Sequence, residues 1–179
     1  AELLASHGNQ PVTGRVEDAN GPYIAAALAD SGVDVEFLGI LDDDVEMMMH
    51  TLRSNLEKKD CDLIISTGAV STGRFDLIPS ALQRLGAHIV FHKIGIRPGH
   101  PVMFATVPNI SPERSDEIPF FGLPGNPVAS AACLRFLVMH YLKCLQSQLP
   151  ETPLTARMSC PNDAKTARQS AHVITSFPS

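Results

Sequence analysis

The sequence predicts an α/β domain of three layers, a mostly parallel sheet with helices on both faces. Short apolar runs alternate with helical stretches along the chain. Two of those runs break into glycine-bearing turns that open directly into helices. The run Cys61-Asp62-Leu63-Ile64-Ile65-Ser66 is almost continuously apolar, which is how a strand covered on both faces reads.

The elements follow in order. A strand near Glu2 to Ser6 leads through a loop to a helix over about Gly21–Asp30, with Pro22 near its start and Gly32 past its end. Val33–Ile40 reads as a strand. Asp42, Asp43 and Asp44 place carboxylates at the positive end of the helix Val45 to about Lys58, where capping alone explains at least one of them. Met47-Met48-Met49 on that helix reads as core filling. Strand Cys61–Ser66, helix Phe75–Leu85 and strands His88–Ile94 and Pro101–Val107 come next. Residues Pro108–Ile118, rich in Pro, Ser and charge, read as an insertion. Strand Pro119–Gly122 and a long apolar helix, Val128 to about Cys144, close the core. The expected domain is therefore 1–149. Residues 150–179 read as a linker and the truncated start of a C-terminal β segment, with strand pieces at Pro153–Met158 and His172–Thr175.

Composition narrows the function. The 179 residues carry a net charge of −5 and no basic run, which argues against nucleic acid as the main partner. No apolar stretch is expected to reach membrane-spanning length and no signal peptide opens the chain, so a cytoplasmic protein without a membrane partner is expected. The opening Ala1-Glu2-Leu3-Leu4 lacks an initiating Met, as an excised piece would. Cys61, Cys133, Cys144 and Cys160 show no paired spacing and read as reduced thiols. His7, His88, His92, His140 and His172 are scattered without ligand spacing.

Three corners carry the chemistry. In Phe120-Phe121-Gly122-Leu123-Pro124-Gly125-Asn126-Pro127-Val128, a strand stops at a turn and runs into a helix. Pro127 suits the first helical position and Asn126 can cap it, so the helix's free N–H groups face the strand's carboxyl end and favour an anion. In Thr67-Gly68-Ala69-Val70-Ser71-Thr72-Gly73-Arg74-Phe75-Asp76, glycines bracket hydroxyls, a composition that suits phosphate. No Gly-Lys-Ser/Thr triplet follows, so this is not a Walker A loop. In Lys93-Ile94-Gly95-Ile96-Arg97-Pro98-Gly99-His100-Pro101, two cations lead into a turn that cannot continue a ladder. Arg offers a planar fork and Lys a point charge for an oxyanion or phosphate.

These motifs, together with Asp18-Ala19-Asn20 and Gly39-Ile40-Leu41-Asp42-Asp43-Asp44, occur in an order that resembles the molybdopterin-binding domain of molybdopterin molybdotransferases, the gephyrin E-domain type, over about residues 3 to 146. The related adenylyltransferases of the gephyrin G-domain type share the fold, but their last corner usually carries Ser where this chain has Asn126. The resemblance implies binding of molybdopterin or its adenylylated form and, in the intact protein, insertion of molybdate with release of AMP. It assigns Lys93 and Arg97 to molybdate or phosphate, and Asp43 and Asp76 to Mg²⁺. Gly68, Ser71, Thr72, Gly73, Pro98, Gly99, Pro124, Gly125, Asn126 and Pro127 would cradle the pterin-phosphate. It also implies a homo-oligomer, expected as a dimer.

The departures from that pattern matter as well. Ala69 stands where the family usually has a second Gly, and His100 where it has Lys. Ser6-His7-Gly8-Asn9-Gln10-Pro11 replaces Thr-Gly-Asp-Glu-Leu, so two carboxylates have become amides. These losses leave a non-catalytic binding or scaffold domain as the alternative, and the adenylyltransferase reaction as a third reading.

Overall fold

The computed structural model of the chain describes residues 3–4, 16–41, 44–57, 61–69, 77–109, 116–149 and 151. It divides into two compact units, Ala1–Met139 and His140–Ser179. The expected β pieces after Pro150 lie outside the described residues, as do Ser71, Thr72, Gly73, Asp43 and Asp76.

The first unit opens with a short parallel pair, β1 (Leu3–Leu4) and β2 (Val16–Glu17). Helices α1 (Asn20–Ala29) and α2 (Val45–Glu57) follow. Then come β3 (Ile64–Thr67), α3 (Leu77–Arg84), β4 (His88–His92), β5 (Met103–Pro108) and β6 (Glu117–Leu123). Helix α4 (Pro127–Cys133) passes through a π-helical turn, Leu134–Val138, into α5 (Met139–Leu145).

The main sheet has the order β3-β6-β5-β4. The α/β class holds, but the expected predominance of parallel pairing does not. β3 and β6 are parallel, whereas β5 runs antiparallel to both β6 and β4. Connection length is the reason. A parallel crossover needs about a dozen or more residues, and neither 93–102 nor 109–116 is that long. Val33–Ile40, expected as a strand, is irregular, with Val35, Phe37 and Leu38 exposed.

Hydrophobic burial organises both sides of the sheet. On one side Ile64, Met103, Ala105, Val107, Ile118 and Phe120 pack with Leu52 and Leu56 of α2 and Ile78 and Leu82 of α3. Met48 joins this core from α2, whereas Met47 is exposed, so only part of the methionine run fills it. Phe104 and Phe121 stack with ring centroids 4.7 Å apart, and Phe121 and Leu123 are buried beside Ala129, Cys133, Leu134 and Val138. Every residue from Ile118 to Leu123 is buried, which follows from β6 being central and covered on both faces.

The last helical run, Pro127–Leu145, is long and apolar enough to cross a membrane by length and composition, contrary to the sequence expectation. Its residues Ala129, Ser130, Cys133, Leu134 and Val138 are nonetheless buried in the first unit, as a core helix's are. In the second unit Lys143 pairs with Glu151. Among the described residues no disulfide joins Cys61, Cys133 or Cys144.

Candidate ligand-binding site

Strand register brings the three corners to one edge of the sheet. Thr67, the last residue of β3, lies opposite Leu123, the last of β6. Met103, the first residue of β5, pairs with Gly122 on one side and His92, the last of β4, on the other. The turn after β3, the loop from Lys93 to Val102 and the turn after β6 therefore open in the same direction. From β3 to β4 the edge spans three strand spacings, about 14 Å.

The first and last corners touch. Gly68 N donates to Leu123 O at 3.0 Å, and a Cβ placed on Gly125 would sit 3.4 Å from Gly68 Cα. Gly68 is at φ +79. Ala69 follows at φ 51, the left-handed region a second glycine would occupy without strain. Asn126 caps α4 as its sequence predicts: its backbone is extended and its side chain accepts from Ala129 N at 3.1 Å. Pro127 takes the first helical position.

The loop between β4 and β5 is tied to itself and to α4. Lys93 N donates to Val102 O at 2.8 Å and Ile94 N to His100 O at 3.0 Å, while His100 Nδ1 lies 2.7 Å from Ile94 O. Gly99 is buried at φ 120, and the Cys133 thiol donates to its carbonyl at 3.7 Å. Burial pushes that thiol up to about 11 and keeps it protonated. Lys93 adopts φ 71. Two non-glycine residues with positive φ, Ala69 and Lys93, thus stand at this edge, and backbone strain of this kind clusters at functional sites. Arg97 is exposed and has no ion-pair partner among the described residues.

The described carboxylates do other work. Asp44 Oδ1 accepts from Glu46 N at 2.8 Å and Met47 N at 3.3 Å, capping α2, and Asp18 Oδ1 accepts from Asn20 N and Gly21 N. Among the described residues no group of His, Cys, Asp or Glu could hold a metal ion. The two carboxylates expected for Mg²⁺, Asp43 and Asp76, lie outside the described residues.

Sequence reasoning gave Asn20 no role. It is one of the two buried polar residues of the described core, and its Nδ2 donates to Gly125 O at 2.9 Å across 105 positions of sequence. Its only sequence signal was its place in Asp18-Ala19-Asn20. The other buried polar residue, Ser130, lies in α4, and its hydroxyl has no hydrogen-bond partner among the described residues.

Glycine turns, a capped helix and two cations stand at the carboxyl edge of an α/β sheet, an arrangement whose chemistry suits an anion. The comparison with known families is more specific: the chain matches the probable molybdopterin binding domain over residues 3–144, and it belongs to that family of molybdenum cofactor biosynthesis domains. It is 31% identical over 136 residues to a molybdopterin molybdenumtransferase of Synechococcus elongatus, covering 76% of this chain and 32% of that protein. It is 33% identical over 116 residues to the protein of that name from Staphylococcus aureus strain COL, covering 65% of this chain and 25% of the relative. The chain thus spans a third or less of the curated relatives it matches. Two solved structures from Pyrococcus furiosus share the fold. A molybdenum cofactor biosynthesis protein superposes with a TM-score of 0.55 at 22% identity, covering 78% of this chain and 40% of that one. The tungsten cofactor synthesizing protein MoaB superposes with a TM-score of 0.52 at 19% identity, covering 75% of this chain and 87% of that one.

Proposed function

We propose that this domain binds adenylylated molybdopterin and that the full-length protein inserts molybdate into it with release of AMP. The observation that carries the reading is the convergence of the three corners on one sheet edge, with Gly68 against Gly125 and Lys93 and Arg97 on the neighbouring loop. The named activity of the relatives from Synechococcus elongatus and Staphylococcus aureus supports it.

In this reading each part has a chemical task. The backbone of Gly68, Ser71, Thr72 and Gly73 and the Pro124–Pro127 corner hold the pterin-phosphate through N–H groups and hydroxyls. Lys93 and Arg97 hold molybdate or the adjoining phosphate, with Pro98 and Gly99 shaping the turn that follows them. Fixed cations that neutralise charge developing at the bridging phosphate are worth most where they need no rearrangement, and the bonds closing 93–102 supply that rigidity. Asp43 and Asp76 are the carboxylates proposed for Mg²⁺, and two-fold association of the full-length protein is proposed with it.

The test is release of AMP by the full-length protein supplied with adenylylated molybdopterin. Release that requires molybdate supports the reading. Tight binding without release, under molybdate and Mg²⁺, establishes the scaffold alternative, for which Asn9, Gln10, Ala69 and His100 are the sequence marks. Formation of adenylylated molybdopterin from ATP and molybdopterin would establish the adenylyltransferase reading.

A further inference from the structure

We infer that Asp18 and Asn20 form a positioning latch that sets the spacing between the Gly68 and Gly125 corners. The inference rests on the proposed ligand site and assigns it two residues that touch no ligand themselves.

The latch is built from local chemistry outward. Asp18 Oδ1 accepts from Asn20 N at 3.0 Å and Gly21 N at 3.1 Å, so one carboxylate oxygen holds both N–H groups at the start of α1. That fixes the backbone from which the Asn20 side chain projects. Asn20 is only 8% exposed, and its amide spans to Gly125 O at 2.9 Å. A buried amide of this kind tolerates little displacement, because an unpaired N–H away from water is costly. Gly21 makes the close approach possible. A Cβ there would lie 2.5 Å from Asp18 Oδ2 and 2.7 Å from the Phe37 ring.

The far end of the latch is the ligand corner itself. Gly125 precedes the helix cap Asn126, a Cβ placed on it would lie 3.4 Å from Gly68 Cα, and Gly68 N is bonded to Leu123 O two residues before it. Pulling on the Gly125 carbonyl therefore places two elements at once: the turn after β3 and the first turn of α4. Without the Asn20 amide the Gly125 peptide is free to rotate, and the N–H groups around it lose their common aim. Asn20 is a positioning residue, and the predicted loss is in ligand affinity with little change in global stability.

The experiment uses the full-length protein, with molybdopterin as the titrant and amide hydrogen exchange as a second readout that needs no ligand. Asn20→Ala should weaken molybdopterin binding about tenfold, the scale of one buried hydrogen bond. It should also speed exchange at Gly68, Gly125, Asn126, Val128 and Ala129 while leaving the melting temperature within a few degrees. Asp18→Asn keeps the accepting Oδ1 and should bind like wild type, whereas Asp18→Ala should resemble Asn20→Ala. The double Ala variant should be no worse than Asn20→Ala alone, because the two residues act as one unit. If Asn20→Ala does not fold, Asn20→Asp serves instead: it keeps the shape and sets an acceptor against the Gly125 carbonyl. Unchanged affinity and exchange in a folded Asn20 variant would overturn the latch, as would a fall in melting temperature with affinity intact. If wild type binds neither molybdopterin nor its adenylylated form, the proposed function fails, and exchange at Gly68, Gly125, Asn126, Val128 and Ala129 alone decides the latch.

Discussion

Replacing Gly99 by alanine tests how the cation loop is held. A Cβ at Gly99 would lie 2.7 Å from Cys133 Sγ and 2.9 Å from Ile96 Cδ1, closer than real side chains approach. The backbone is also at φ 120, where an L residue is strained. Strain at a sparsely populated φ costs about 1–3 kcal/mol, and overpacking a core contact adds about 1–3 kcal/mol. Gly99→Ala should therefore cost about 2–6 kcal/mol, a large fraction of the roughly 5–15 kcal/mol that holds a domain together. Thermal unfolding followed by circular dichroism should show a drop of roughly 4–24 °C, from about 2–4 °C per kcal/mol in a chain of this size. The Cys133→Ala background separates the two causes, since it removes the sulfur and leaves the φ penalty. Gly99→Ala should cost less there, by the part of the overpacking that the sulfur causes, while the Ile96 contact remains. A melting temperature within about 2 °C of wild type, or a cost unchanged by removing Cys133, would refute the account of how this loop docks on α4.

Other substitutions test neighbouring parts of the edge. Arg97→Ala should weaken molybdate or phosphate binding by about 1.5–3 kcal/mol, the range for hydrogen bonds to charged groups, with little change in melting temperature because the side chain is exposed. Isothermal titration reads the first and calorimetric scanning the second. Ala69→Gly removes a left-handed strain of about 1–2 kcal/mol and gains about as much unfolded-state freedom, so stability should change by less than about 1 kcal/mol. Its affinity for molybdopterin should rise, because the loop can approach a phosphate more closely. The Cys133 thiol, held protonated in the fold up to about pH 11 against an ordinary value of 9.0, has the raised-pKa sign. Its share of stability is fully present below pH 9 and is lost as pH rises towards 11. Urea unfolding across that window should show the loss in wild type and a smaller one in Cys133→Ala.

What could be read from the sequence was what local chemistry determines. The Asn126–Pro127 helix start was legible because a cap and a first-position proline act within a few residues, and the structure bears it out. Gly32 past the end of α1, at φ 74, was legible on the same grounds. Strand direction was misread, although the information was present. Helix signals were weighed above loop length, and the short links 93–102 and 109–116 dictate antiparallel pairing. Val33–Ile40 was misread because an alternating apolar pattern describes a side-chain arrangement without naming a partner strand. The Asn20 contact with Gly125 lay out of reach, since no local rule joins an amide to a carbonyl so far along the chain. At the site, the three corners were visible as separate motifs, and strand register alone shows that they share an edge.

The central claim is that these corners act as one crevice, and amide chemical shifts of the isotope-labelled full-length protein on titration with molybdopterin test it most directly. The account predicts saturable shifts at the amides of Gly68, of Lys93–Arg97 and Gly99, and of Gly125, Asn126, Val128 and Ala129, all fitting one dissociation constant. Shifts confined to a single corner, separate constants for different corners, or saturable binding that leaves all three unmoved would contradict it.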